Sequence, residues 1–149
     1  MKKTTTFLVC MFMLLLPTCV NAADDIEYIN DSLGFRLTLP SSWEGLYRVH
    51  EHVSNMANGV WVQFSNIRNE DAGYGGEVFS IFISGEEAGD IPGMREILRT
   101  DGKIVYYSVP TDVQFDHNDR SLTNEYKKME NDVKNIIGTF RFVTPEPYE

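Results

Sequence analysis

Apolar and polar residues alternate with a period of two over Phe35, Leu37 and Leu39, with Arg36 and Thr38 between them. That period puts one face of a strand on a core. Gly34 punctuates its start, and Pro40, which has no N–H for a ladder, ends it. Ser41 or Ser42 is expected to accept from the free amides of a short helical turn, folding Trp43 back over the strand. Residues 27–30 read as a first short strand, joined to the second through Asp31-Ser32-Leu33-Gly34, so the two form a hairpin. Alternation returns over residues 47–53, with Tyr47, Val49 and Val53 on one face and Arg48, His50 and His52 on the other. Residues 55–59 are turn-rich, 60–64 are extended, and 69–76 read as a flexible loop. Residues 78–83 are apolar on nearly both faces, which predicts a central strand covered on each side.

Pro92 suits a first helical position and Gly102 a stop, so residues 92–100 are expected to be a short helix. Residues 103–109 are a further strand closed by Pro110, and 111–120 a polar loop. Leu122, Tyr126, Met129, Val133, Ile136 and Phe140 then recur at steps of four and three, the spacing of one helix face. Lys127, Lys128, Glu130, Asn131 and Lys134 fall on the outer side, Glu130 and Lys134 form an i, i+4 pair, and Gly138 is the expected stop. Residues 139–143 alternate as a last strand before a Pro-rich tail. Most connections are too short for parallel crossovers. The expected fold class is α+β, a central, mostly antiparallel sheet flanked by helices.

The start of the chain changes this picture. Lys2 and Lys3 precede an apolar run from Phe7 to Leu16, and Val20-Asn21-Ala22 supplies a small-residue cleavage signature. The run is too short for a membrane span of about 20 residues. It reads as a secretory leader over residues 1–22, cleaved after Ala22, with a single domain over 23–149 in the envelope or outside the cell. In a competing arrangement, Leu16-Pro17-Thr18-Cys19 is a lipobox and Cys19 carries a lipid anchor. Cys10 and Cys19 are the only cysteines of the chain. Cleavage after Ala22 would therefore leave no disulfide, thiolate metal site or cysteine nucleophile, which suits a bacterial envelope.

Losing Lys2 and Lys3 would take the formal charge from −9 to −11. Phosphate backbones and anionic lipid surfaces need a basic stripe, and this chain has none, so nucleic-acid partners are disfavoured. The expected partner is a protein or small ligand of basic or neutral character, met by a monomer without a transmembrane segment.

The run Tyr28-Ile29-Asn30 followed by Gly34-Phe35-Arg36-Leu37-Thr38-Leu39-Pro40-Ser41-Ser42-Trp43 resembles the opening of PsbP-like domains. These include the extrinsic photosystem subunit, the yeast Ran-binding import factor and bacterial DcrB-like envelope proteins. The apolar strand over 79–83 and the last helix with Phe140-Arg141-Phe142 are similar too, so the resemblance covers about residues 27 to 143. It implies a central antiparallel sheet between helical layers in an α/β/α sandwich. It implies a docking or assembly role, and carries over no catalytic residue.

Four constellations could carry chemistry. His50 and His52 lie on one strand face, about 6.5–7 Å apart along the chain. With a third ligand they could hold zinc or another divalent metal, while as ordinary histidines they would simply be solvated. Asp112, Asp116, Asn118 and Asp119 gather oxygen ligands and Asp116 begins like a calcium loop. The pattern then fails at Arg120, at Ser121 in place of the turn glycine, and at the twelfth position, so capping is the simpler role. Gly73-Tyr74-Gly75-Gly76 lacks the Gly-Lys-Ser/Thr ending of a phosphate loop, though Tyr74 at its tip could touch a partner. Neither a Gly-x-Ser-x-Gly elbow nor a His-Glu-x-x-His pair occurs, so a hydrolase would have to use an arrangement without a motif. Trp43, Tyr47, Trp61, Tyr106 and Tyr107 could line a groove or fill the core. The leading expectation is an exported, non-catalytic binding or assembly domain, with Arg48, His50, His52 and Tyr74 as contacts. The alternatives are a metal-binding envelope protein using His50 and His52, and a hydrolase.

Overall fold

A computed structural model describes residues 24–55, 58–85, 89–100 and 102–143. The expected leader, its cleavage site at Ala22 and Cys19 lie outside the described residues, as does the tail from 144 onward. The chain runs β1 (Ile26–Asn30), β2 (Phe35–Leu39), a one-turn 3-10 helix (Ser41–Trp43), β3 (Tyr47–Val53), β4 (Val60–Asn66) and α1 (Ile67–Asp71). It continues through β5 (Glu77–Ser84), β6 (Arg95–Thr100), β7 (Lys103–Ser108), α2 (Arg120–Gly138) and β8 (Arg141–Phe142). One antiparallel sheet has the order β1-β2-β8 and the other β3-β4-β5-β7-β6. This is an α+β fold. Among the described residues the long helix α2 lies on one face of the larger sheet, and the smaller sheet shares that side. On the other face, where the α/β/α layering implied by the resemblance expects a helix, the described residues 89–94 form a strap without one.

The hairpin forms as its residues dictate. Gly34 takes φ +68°, and the Asn30 side chain accepts from Ser32 and from the Leu33 amide at 2.8 and 2.9 Å. Phe35, Leu37 and Leu39 are fully buried. Tyr28 meets Phe64 edge-on with ring centroids 5.0 Å apart, which seats β1 against the larger sheet. On that sheet's inner face, Phe64 stacks on Phe79 at 4.5 Å, and Val62, Ile81 and Val105 extend the same core. The helix stripe closes it: Tyr126, Met129, Val133 and Ile136 are buried, while Lys127, Lys128, Glu130, Asn131 and Lys134 are exposed. Burying each such apolar side chain is worth about 1.5–3 kcal/mol. Strand β5 is central and buried along almost its whole length.

Trp43 is also fully buried, and its indole N–H donates to Asp132 of α2 at 3.0 Å. The turn that carries it has no side-chain cap from Ser41 or Ser42. The Ser41 amide instead donates to Asp25 at 3.2 Å. Asp119 does cap α2, accepting from the amides of Ser121 and Leu122 at 2.7 and 3.1 Å. Gly138 is the last helical residue rather than the stop. Thr139 closes the helix: its hydroxyl donates to Ile136 and accepts from the Thr38 amide at 2.8 Å. Glu130 and Lys134, both exposed, form no ion pair within 4.0 Å among the described residues.

Residues 95–100 are a strand, not the expected helix. Thr100 pairs with Lys103 and Gly102 has φ +91°, so two residues of sequence Asp-Gly join β6 to β7, a strong hairpin signal. A register shift between Glu96 and Leu98 breaks the alternation that would have marked the strand. β6 runs parallel to β5 with β7 between them. The described residues 89–94 lie on the outer face of β7. Ile91 and Met94 pack there on Phe82, Ile104 and Tyr106, and the Tyr106 hydroxyl donates to Gly89 at 3.1 Å. The last strand is shorter than expected, and only Arg141 and Phe142 pair with β2.

Candidate site on the outer face of the larger sheet

The strap leaves the β3–β4 side of the outer face open. Register alone places the side chains there. His50 is opposite Gln63, His52 opposite Trp61, and Arg48 opposite Ser65. Tyr47 and Val49 turn to the core, as alternation predicts, but Val53 projects past it and is 86% exposed.

The residue that organises this face comes from α1. Asn66 caps that helix by accepting from the Asn69 amide at 3.0 Å, which points Glu70 at β3. Glu70 Oε1 accepts from His50 Nε2 at 2.9 Å and lies 3.2 Å from Arg48 Nη1. Arg48 also reaches Asp71 at 3.0 Å. Asp71 first, and Glu70 second, raise the Arg48 pKa above its already high ordinary value. Glu70 Oε2 is buried with no hydrogen-bond partner among the described residues. The His50 and His52 rings lie nearly parallel with centroids 6.2 Å apart.

The structure therefore brings Arg48, His50 and His52 together, and adds Glu70, which the sequence reading leaves in a loop. It does not bring Tyr74 to them as a fourth member of one charge network. Tyr74 sits in the turn after α1, its amide donating to the Asn69 carbonyl at 3.0 Å. Its phenol lies by Asp116, whose charge is the main cause of a raised Tyr74 pKa. Residues 69–71 belong to α1, and Gly73, Gly75 and Gly76 all have positive φ. Gly76 is held from both sides, by Asn66 at 2.7 Å and Gln114 at 3.0 Å. The expected flexible loop is thus a bonded turn.

The chemistry open to this site is limited by its neighbours. A histidine on a carboxylate could serve as a base. The serines that share the face are nonetheless buried: Ser65 is bonded to Gln63 at 2.9 Å and Ser80 to Glu77 at 2.7 Å. Among the described residues no group of three His, Cys, Asp or Glu side chains is placed to hold a metal ion. Asp116 and Asp119 bind backbone amides, and His117 is exposed before α2. The five aromatic residues do not share a groove. Trp43 and Tyr106 are buried, on opposite faces of the larger sheet. No described helix is long and apolar enough to cross a membrane. No family model, curated protein or solved structure matches the chain.

Proposed function

We propose that the chain is a non-catalytic binding or assembly domain that recognises its partner through the outer face of β3 and the adjoining α1 end. The observation that supports this is the commitment of its reactive groups. His50 is bonded to Glu70, and the serines nearest by register are buried and bonded elsewhere. What reaches solvent is a recognition surface: His52, part of Trp61, the Arg48–Asp71 pair and Tyr74. Arg48 is offset by two carboxylates, so a neutral or basic partner suits the patch. The proposed setting is the cell envelope or exterior, following the leader-like residues 1–22.

Photo-crosslinking tests this. A photoreactive residue at position 52 should give a discrete adduct in the native envelope, and one at the exposed position 131 should not. Replacing Tyr74 or Arg48 by Ala should weaken the position-52 adduct, and added salt should slow its formation. Turnover in a screen of ester, phosphoester, glycoside and peptide substrates, lost on changing one Ser, His or Asp with the fold intact, would overturn the reading.

A further inference from the structure

Helix α2 packs on β5 and β2, which leaves β6 at the margin of the inner face. Two adjoining cavities of about 440 and 550 Å³ open between β6 and α2, and they share Tyr107 and Lys134. Each falls in the size range of small-molecule sites, about 300–1,000 Å³. The floor is apolar: Val133, Ile137 and Phe140 lie beneath, and Ile97 and Tyr107 are half-buried. Leu98 and Val109 stand at the rim, 36% and 48% exposed.

The rim charge runs against the rest of the chain. The formal charge is −9, yet Arg95, Lys134 and Arg141 all line this groove. None of the three has a carboxylate within 4.0 Å among the described residues, a state shared by Lys103, Arg120, Lys127 and Lys128 elsewhere, whereas Arg36, Arg48, Arg68 and Arg99 are ion-paired. Arg95 is steadied by the Tyr107 hydroxyl at 3.4 Å, and Arg141 by the carbonyls of Gly138 and Phe140. Of the two acids on the rim, Glu96 is bonded twice to Arg99, so Glu130 alone opposes the cations.

We infer that the groove between β6 and α2 binds a small amphiphile with a carboxylate head and a hydrocarbon tail. The head accepts from Arg95 and Lys134 beside the Tyr107 hydroxyl. The tail crosses into the second cavity over Ile97, Leu98, Ile137 and Phe140. A cationic head is repelled there, and a neutral one loses the charge-assisted bonds. This site is separate from the outer face proposed for partner docking, and neither reading depends on the other.

Titration of the purified protein with dodecanoate below its micellar concentration, followed by calorimetry and amide NMR shifts, tests the inference. One saturable site is expected, with shifts centred on β6 and the C-terminal half of α2. Arg95→Glu with Lys134→Glu should weaken binding by about tenfold or more. Leu98→Trp, from its exposed position, should block the tail. Dodecyltrimethylammonium should not compete. If the double variant fails to fold, Lys134→Ala at an exposed position carries the charge test. The inference is overturned by equal binding of the two amphiphiles, by an absence of saturable binding, or by native affinity in a folded charge variant. It is also overturned if sedimentation shows a dimer that Leu98→Trp dissolves, for the groove would then be a contact between copies.

Discussion

Asn69 and Glu70 are adjacent in sequence and belong to opposite kinds of polar cluster. On the inner side of α1, Asn66 and Asn69 are fully buried and fully bonded. Asn66 Oδ1 accepts from Asn69, and Asn66 Nδ2 donates to Glu125 at 2.8 Å. Asn69 accepts from the Asp116 amide at 3.1 Å and donates to the Leu122 carbonyl at 3.2 Å. Four segments meet there, and Arg68 locks the far oxygen of Glu125 at 2.8 Å. On the outer side, the Glu70 cluster is half open to solvent and keeps one buried oxygen without a partner among the described residues. A closed network specifies a fold, because every group in it loses a bond if the chain rearranges. An open one is tolerated where something else is to be met. The first cluster is architecture, and the second is the surface proposed above for recognition.

The largest effect expected from this contrast is that of Asn69→Leu. It leaves the Asp116 amide without its acceptor and takes one of their donors from Asn66 Oδ1, which keeps the amide of residue 69, and from the helical Leu122 carbonyl. The three lost bonds should cost about 3 kcal/mol, lowering the melting temperature by roughly 10 °C. A cost no larger than that of changing Glu70 would erase the distinction. Next comes Tyr126, buried against the inner side with its hydroxyl donating to Glu77. Burial raises its pKa well above the ordinary value near 10. The unfolded chain thus releases that proton first. The stabilising contribution is intact below pH 10 and falls above it by about 1.4 kcal/mol per pH unit. Tyr126→Phe should flatten that alkaline decline in denaturant titrations, and an unchanged slope would place the phenol in solvent.

Glu70→Gln should move stability by less than about 1 kcal/mol, since Arg48 retains Asp71 and the pair is part-exposed. Its effect should appear in partner crosslinking instead. A melting temperature as low as that of Asn69→Leu would make the outer cluster structural as well. The smallest change is expected for His52→Ala, within about 0.5 kcal/mol by urea unfolding, because the side chain is exposed on an edge strand.

What could be read from the sequence was what is local. Phe35, Leu37 and Leu39, and the stripe from Leu122 to Ile136, announce their faces by spacing alone. β6 was hidden because its bulge puts Ile97 and Leu98 side by side, and because Asp101-Gly102 serves equally as a helix stop or a hairpin turn. The His50 and His52 pair is visible in the alternation of β3. Glu70 is not, since it reaches His50 only through the capped turn of α1, 20 residues on. An asparagine three residues before another in Asn66-x-x-Asn69 was the available hint of that cap. The groove beside α2 depends on which strand ends at the sheet margin, and no periodicity reports that.

The pairing of β2 with β8 joins Phe35 to Phe142 and Arg36 to Arg141, and the Val143 amide returns to the Gly34 carbonyl at 2.8 Å. More than a hundred residues separate the two sides of that ladder. Synthesis proceeds from the N-terminus at about 5–20 residues per second, so β2 waits roughly 5–20 s for its neighbour. Throughout that interval the hairpin has an unsatisfied edge and its Phe35, Leu37 and Leu39 face lacks the helix that covers it. The chain cannot close this core until residue 143 has been made, and in that window it is a substrate for whatever holds unfolded chains.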